Sequence, residues 1–187
     1  MNAITVEADG SLRYRAVPDP VCGEGEALVE VHASALNRAD LAQRAGKYPP
    51  PPGASEILGL ELSGVLRRLP EGYSGAWAEG MAVCALVPGG GYAELAGVPT
   101  ELLMPLPQGW TFQQAAALPE AYYTAFLNLF LEGDLRAGER VLVHGGASGV
   151  GTAAIQLARA AGARVFATAG TPEKVALCAS LGAEAAV

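Results

Sequence analysis

The chain has 187 residues, 51% hydrophobic and 17% charged, a globular composition with enough length for one large or two small domains. Its formal net charge of −7 opposes general nucleic-acid binding, which is built on basic clusters. No apolar run approaches the roughly 18 residues that span a bilayer, and the N-terminus MNAITVEADG lacks a basic, apolar signal pattern, so a cytoplasmic protein without a membrane partner is expected.

Residues 1 to about 110 hold most of the prolines and several short alternating runs. In Ala27-Leu28-Val29-Glu30-Val31-His32-Ala33 the period of two puts Val29, Val31 and Ala33 on one strand face. Turn-rich segments at Tyr48–Gly53, Pro70–Gly72 and Pro88–Gly91 punctuate the region, which reads as a β-rich domain with irregular loops. Cys22, Cys84 and Cys178 are scattered, an odd number without C-x-x-C pairing, which argues for reduced thiols and against a disulfide framework or a zinc cluster. His32 shares a face with Glu30 and reads as structural.

From Thr111 the pattern turns helical. Thr111 with Gln114 forms a capping-box signature, and Leu118 to Leu131 is an apolar helix-like run interrupted near Pro119. The change of character divides the chain into residues 1–116 and 117–187.

Val141 to Val143 is a short apolar run suited to a central parallel strand, followed by His144-Gly145-Gly146-Ala147-Ser148-Gly149-Val150-Gly151 and the helix formers Thr152 to Ala161, which stop at Gly162. Strand, glycine-rich turn, helix and a second apolar run (Arg164 to Ala169) make the context in which a dinucleotide pyrophosphate is held. Gly146 is expected to permit the tight turn. Gly149 and Gly151 keep side chains away where backbone approaches phosphate or packs on the strand, and the helix N-terminus supplies free N–H groups and a positive dipole end. Ser148 stands where G-x-G-x-x-G has its middle glycine; its hydroxyl or N–H can serve the cofactor or simply form the turn. His144 ends the strand and reads as structural.

The segment after the second strand selects the cofactor. An NAD site places an acid there for the ribose 2′-OH, whereas Gly170-Thr171-Pro172-Glu173-Lys174 offers a hydroxyl and an ammonium suited to the 2′-phosphate of NADPH. Glu173 would partly neutralise Lys174. The same residues also read as a helix start, with Thr171 as N-cap and Pro172 in the first helical position.

The strings Ala35-Leu36-Asn37-Arg38-Ala39-Asp40-Leu41, Pro51-Pro52-Gly53-Ala54, Leu58–Gly64, Gly90–Glu94 and the glycine turn with Thr152–Leu157 resemble the zinc-independent quinone oxidoreductases of the medium-chain dehydrogenase/reductase superfamily, nearest the branch that includes the p53-inducible quinone oxidoreductase. The resemblance covers the whole chain. It implies an α/β protein in which a GroES-like β-rich domain precedes a Rossmann domain, here truncated. It also implies NADPH as cofactor, a small quinone or enone as substrate, and a homodimer for the full-length family member. Gly80-Met81 departs from the family's usual Gly-Asp, a turn preference.

In the superfamily's zinc alcohol dehydrogenases a cysteine stands where this chain has Asn37, and a histidine where it has Leu60 before Glu61. Leucine cannot bind zinc, so no metal site is expected. Alcohol oxidation needs a Lewis acid for its alkoxide, whereas hydride addition to a quinone or enone gives a delocalised anion that ordinary donors hold. Glu61, without its zinc neighbours, is expected to pair with a basic side chain. Asn37 would contact the nicotinamide ribose or the acceptor oxygen, or simply form a turn. Tyr48 would line the acceptor pocket or donate to the oxyanion, or else sit in the core. Thr124 resembles the family threonine near nicotinamide and phosphates, or is a helix threonine bonding its own backbone. Asn37, Tyr48 and Thr124 are thus the expected catalytic residues. Cofactor binding falls to Asn37, Thr124, Ser148, Gly149, Val150, Gly170, Thr171 and Lys174.

A Rossmann domain needs two mononucleotide halves, yet Val187 comes near the start of the third strand, so a fragment or truncated product is expected. The leading function is NADPH-dependent reduction of quinones or related conjugated carbonyls. The alternatives are a non-catalytic NADPH-binding protein, such as a redox sensor or crystallin-like relative, and an enoyl-thioester reductase.

Overall fold

Alternating burial builds the first part of the chain. In β3 (Glu26–Ala33) Ala27 and Val29 are fully buried while Glu26, Leu28 and Glu30 are only half-buried, so one face of the strand enters a core. The computed structural model describes residues 1–187, which divide into two units, Met1–Pro119 and Glu120–Val187.

In the first unit, β1 (Asn2–Val6) and β2 (Leu12–Ala16) form a hairpin. After β3 comes a short helix, α1 (Arg38–Arg44), then β4 (Glu61–Arg68), β5 (Ala82–Leu86), β6 (Leu95–Pro99) and β7 (Leu103–Pro105). Strands β3 to β7 form an antiparallel sheet in the order β6-β3-β4-β5-β7. Its core is centred on Val29, Leu62, Leu66, Val83 and Val98. Helix α2 (Phe112–Ala116) lies against β3, β4 and β5, and the Ser63 hydroxyl donates to the Phe112 carbonyl at 2.6 Å. Thr111 and Gln114 close the capping box at its start, with the Thr111 N–H donating to Gln114 Oε1 at 2.9 Å.

The second unit follows α3 (Pro119–Phe126), β8 (Arg140–Val143), α4 (Gly149–Ala160), β9 (Arg164–Ala167), α5 (Pro172–Leu181) and β10 (Ala185–Ala186). Pro119 begins α3 instead of interrupting it, because the first turn of a helix has no use for the missing N–H. The helix continues as a π-helical segment, Leu127–Glu132. Three parallel strands run in the order β10-β9-β8, the order of the first mononucleotide half of a doubly wound sheet. Ile155 and Ala158 of α4, Val165 and Ala167 of β9, and Cys178 of α5 fill the core between helices and sheet.

Candidate functional site

The turn between β8 and α4 is shaped by backbone geometry. Gly145, not Gly146, takes the left-handed conformation, with φ +64°, so the expectation for Gly146 is corrected. Gly146 is required for a different reason: a Cβ there would lie 2.8 Å from the Cys178 sulfur and 2.9 Å from Ala167 Cβ. Gly151 allows α4 to sit against the turn, since a Cβ would meet the Gly145 carbonyl oxygen and lie 2.8 Å from Gly146 C and Cα. Gly149 has no such neighbour; the nearest atom to its Cβ position is Ala121 Cβ at 4.0 Å. Packing within the unit therefore explains Gly146 and Gly151 but not Gly149.

Ser148 is the N-cap of α4. Its N–H donates to the Gly145 carbonyl at 2.8 Å, and its hydroxyl oxygen accepts the Gly151 N–H at 3.0 Å. The Ser148 N–H is thus engaged in the turn, and only its hydroxyl proton is left for a ligand. Gly149 and Val150, both exposed, are the first two residues of the helix, where N–H groups have no acceptor inside it. Together with the positive end of a 12-residue helix they make an anion-accepting surface. Thr168, which sequence reasoning missed, ties the turn to the end of β9: its carbonyl accepts the Gly146 N–H at 2.9 Å and its hydroxyl the Gly145 N–H at 3.3 Å. His144, exposed, places Nδ1 3.2 Å from the same hydroxyl.

At the next strand end, Thr171 caps α5 and Pro172 occupies its first turn. The Thr171 oxygen accepts the Lys174 N–H at 3.4 Å, and its hydroxyl bond to Glu173 is the main cause that holds that carboxyl below its usual range. Lys174 is exposed, and its ammonium forms no salt bridge with Glu173. Gly170 stands in open space, with nothing near its Cβ position. In α3, Thr124 is half-buried and its carbonyl accepts the Asn128 side-chain amide at 2.8 Å.

The first unit holds a buried polar cluster. Asn37 starts α1, and its backbone N–H donates to Asp40 Oδ2 at 2.6 Å in a capping box. Asn37 Nδ2 donates to Glu61 Oε1 at 2.7 Å. Sequence reasoning set Glu61 against a base; the structure shows its carboxylate, 2% exposed, accepting this amide. The Tyr92 hydroxyl donates to Asp40 Oδ2 at 2.5 Å, and burial first, then that bond, raises its pKa. Asp40 Oδ1 is buried without a partner. Asp40 and Tyr92 were not foreseen, although the Asn-x-x-Asp spacing is itself a capping signal. Tyr48 is 54% exposed, which rules out the core role and leaves its ring available at the surface. No group of three or more His, Cys, Asp and Glu side chains comes together to hold a metal ion.

Residues 23–108 match the model of the alcohol dehydrogenase GroES-like domain, and residues 149–187 match that of the zinc-binding dehydrogenase family. The chain is 37% identical over 154 residues to a quinone oxidoreductase of Mus musculus, covering 82% of this chain and 46% of that one. The quinone oxidoreductase from Thermus thermophilus, solved also in complex with NADPH, is 42% identical and superposes with a TM-score of 0.84 over 100% of this chain and 59% of its own. The chain carries both domains of the medium-chain dehydrogenase/reductase superfamily and is similar to its quinone oxidoreductases. It spans about half the length of the curated quinone oxidoreductases it matches. Much longer relatives occur as well: a phthioceranic/hydroxyphthioceranic acid synthase of Mycobacterium tuberculosis is 39% identical over 162 residues, 87% of this chain and 8% of the synthase. The JamJ enoyl reductase superposes with a TM-score of 0.88 at 26% identity, over 99% of this chain and 58% of its own.

Proposed function

We propose that the whole protein is an NADPH-dependent reductase that adds hydride to quinones or related conjugated carbonyls without a metal ion. The observation that carries this reading is the start of α4, where Gly149 and Val150 offer unpaired N–H groups and Gly149, unlike Gly146 and Gly151, has no close neighbour inside the fold and, unlike Gly145, no left-handed backbone to explain it. A pyrophosphate fits that surface, because a Cβ is missing where phosphate oxygens need to approach the backbone.

When bound, NADPH supplies the hydride from its nicotinamide. Gly149 and Val150 hold the pyrophosphate through their N–H groups, with Ser148 keeping the helix start in shape. Lys174, exposed and unpaired, supplies the charge for the 2′-phosphate. The Thr171 hydroxyl faces competition, because its proton is already engaged by Glu173. Gly170 lets the chain pass close to the same group. With the cofactor bound, Asn37 would donate toward the nicotinamide ribose or the acceptor oxygen, Thr124 would serve nicotinamide and phosphates, and Tyr48 would donate to the oxyanion that forms on the acceptor. That anion is delocalised and takes its proton from water, so a Lewis acid is not required. Leu60, which has no donor atom, and Asn37 in the position of a ligating cysteine support a metal-free site. The small acceptor and the homodimer rest on the family alone.

The test is NADPH oxidation by the whole protein in the presence of a small quinone. Turnover is expected; saturable NADPH binding without oxidation would replace the enzyme with a nucleotide-binding protein. The synthase relatives and the enoyl reductase neighbour favour a second reading, reduction of an enoyl thioester, and competition between a quinone and an enoyl thioester for the same NADPH decides between the two.

A further inference from the structure

His144 and Thr168 stand just past the ends of β8 and β9, two neighbouring parallel strands. Both therefore sit on the carboxyl edge of the sheet, the edge along which a doubly wound fold takes its ligand. The Thr168 hydroxyl oxygen lies 3.3 Å from the Gly145 nitrogen and 3.2 Å from His144 Nδ1. A hydroxyl has one proton to give and two lone pairs that accept. The Gly145 N–H can only donate, so it occupies a lone pair, and of the two neighbours Nδ1 alone can receive the hydroxyl proton. That arrangement satisfies all three groups and leaves the imidazole proton on Nε2. The reversed one, with Nδ1–H donating, would leave the hydroxyl proton without an acceptor in the chain.

The turn uses Nδ1 only. The ring is exposed, and Nε2, its outer nitrogen, makes no hydrogen bond within the chain. Along the same edge, Gly149 and Val150 open α4 on one side, and Gly170, Thr171 and Lys174 follow Thr168 on the other. Between a pyrophosphate on the first group and a 2′-phosphate on the second lies the adenosine ribose. We infer that Thr168 is a positioning residue and His144 a cofactor-binding one: the Thr168 hydroxyl holds the imidazole in its Nε2–H form, and that N–H donates to an oxygen of the adenosine ribose-phosphate. The ligand contact rests on the dinucleotide reading above; the form of the ring does not.

Imidazole ¹⁵N shifts of the labelled, ligand-free 187-residue chain, taken at about pH 8.5 and so above the ordinary imidazole range, read the form of the ring. The chain has two histidines, and the His144 signals are those lost in His144→Asn. The Nε2–H form is expected in the parent, a mixture of both forms in Thr168→Val, and the parent pattern again in Thr168→Ser. Calorimetric titration with 2′,5′-ADP, which carries the adenosine phosphates of NADPH, reads the contact. Asparagine can set its amide oxygen near the place of Nδ1 and accept from Thr168, but reaches no further; glutamine brings an N–H to the place of Nε2. His144→Asn is therefore expected to keep its melting midpoint within about 2 °C and to bind 2′,5′-ADP about tenfold more weakly, whereas His144→Gln stays within about threefold of the parent. A dominant Nδ1–H form in the parent, an unchanged ring in Thr168→Val, or parent affinity in His144→Asn would each overturn the inference. Should the parent chain bind no 2′,5′-ADP, the dinucleotide reading fails and the His144 contact with it, while the ring signals still decide the role of Thr168.

Discussion

Replacing Gly151 and Gly149 with alanine, one at a time, separates packing from ligand binding within a single turn. At Gly151 the new methyl would lie 2.8 Å from Gly146 C and Cα and closer still to the Gly145 carbonyl oxygen. Carbon atoms in contact prefer about 3.5–4.0 Å, so α4 would have to move off the turn by roughly 1 Å. All three obstacles are backbone, which has no rotamer to change. Overpacking of this kind costs about 1–3 kcal/mol, offset by up to about 1 kcal/mol from the better helix propensity of alanine. The net effect is a fall in the melting midpoint of about 4 °C or more. At Gly149 the nearest atom is 4.0 Å away, an ordinary contact, so stability should stay within about 0.5 kcal/mol of the parent. The same methyl stands where phosphate oxygens approach the helix, and NADPH affinity should drop about tenfold or more. Thermal melts followed by circular dichroism and calorimetric titration with NADPH read the two effects. Equal melting of both variants would refute the packing account of Gly151, and wild-type NADPH affinity in Gly149→Ala would refute the assignment of the pyrophosphate to this helix end.

Lys174→Ala should weaken NADPH about five- to tenfold and leave NADH nearly unchanged; an equal loss for both removes Lys174 from the 2′-phosphate. Under native conditions Cys22, half-buried, should be the thiol that alkylates, with Cys84 and Cys178, 1% and 0% exposed, reacting only after unfolding; mass spectrometry counts the labels. Burial, and secondarily the charge of Glu61, pushes the Cys84 thiol from 9.0 up to about 11. The unfolded thiol ionises first, so the Cys84 contribution is complete below about pH 9 and lost as the pH rises to about 11. Urea unfolding across that window should show a steeper decline for the parent than for Cys84→Ala, and parallel curves would contradict it. Tyr92→Phe removes a donor from Asp40, which is 5% exposed and already has one oxygen without a partner, and should cost about 1–3 kcal/mol by the same method.

Local signals were the legible ones. Thr171 as a helix start, the Thr111–Gln114 box and the apolar strands beside them depend on residues within a few positions of one another, and each is found in the structure; Ser148, read as a cofactor ligand or a turn residue, proves to be the cap of α4. The glycine turn was legible as a turn, but which glycine turns and which only makes room depends on Cys178 and Ala167, more than 20 residues away in sequence. The same holds for Glu61. Its partner Asn37 is brought to it by the fold, since a loop, a helix and a further loop lie between the end of β3 and the start of β4, and nothing in the spacing predicts the contact. The π-helical segment Leu127–Glu132 left no mark in an apolar run that reads equally well as an ordinary helix. Tyr48 was open between core and surface in the sequence, because an aromatic beside prolines suits both; its exposure in the structure settles that point but not its chemistry.

The central claim is that a dinucleotide's pyrophosphate docks on the N–H groups at the start of α4. Titration of the ¹⁵N-labelled chain with NADPH, followed through its backbone amide resonances, tests this most directly. The account predicts saturable shifts at Gly149 and Val150, with Lys174 responding to NADPH but not to NADH. Saturable binding that leaves Gly149 and Val150 unmoved, or no binding at all, would contradict it.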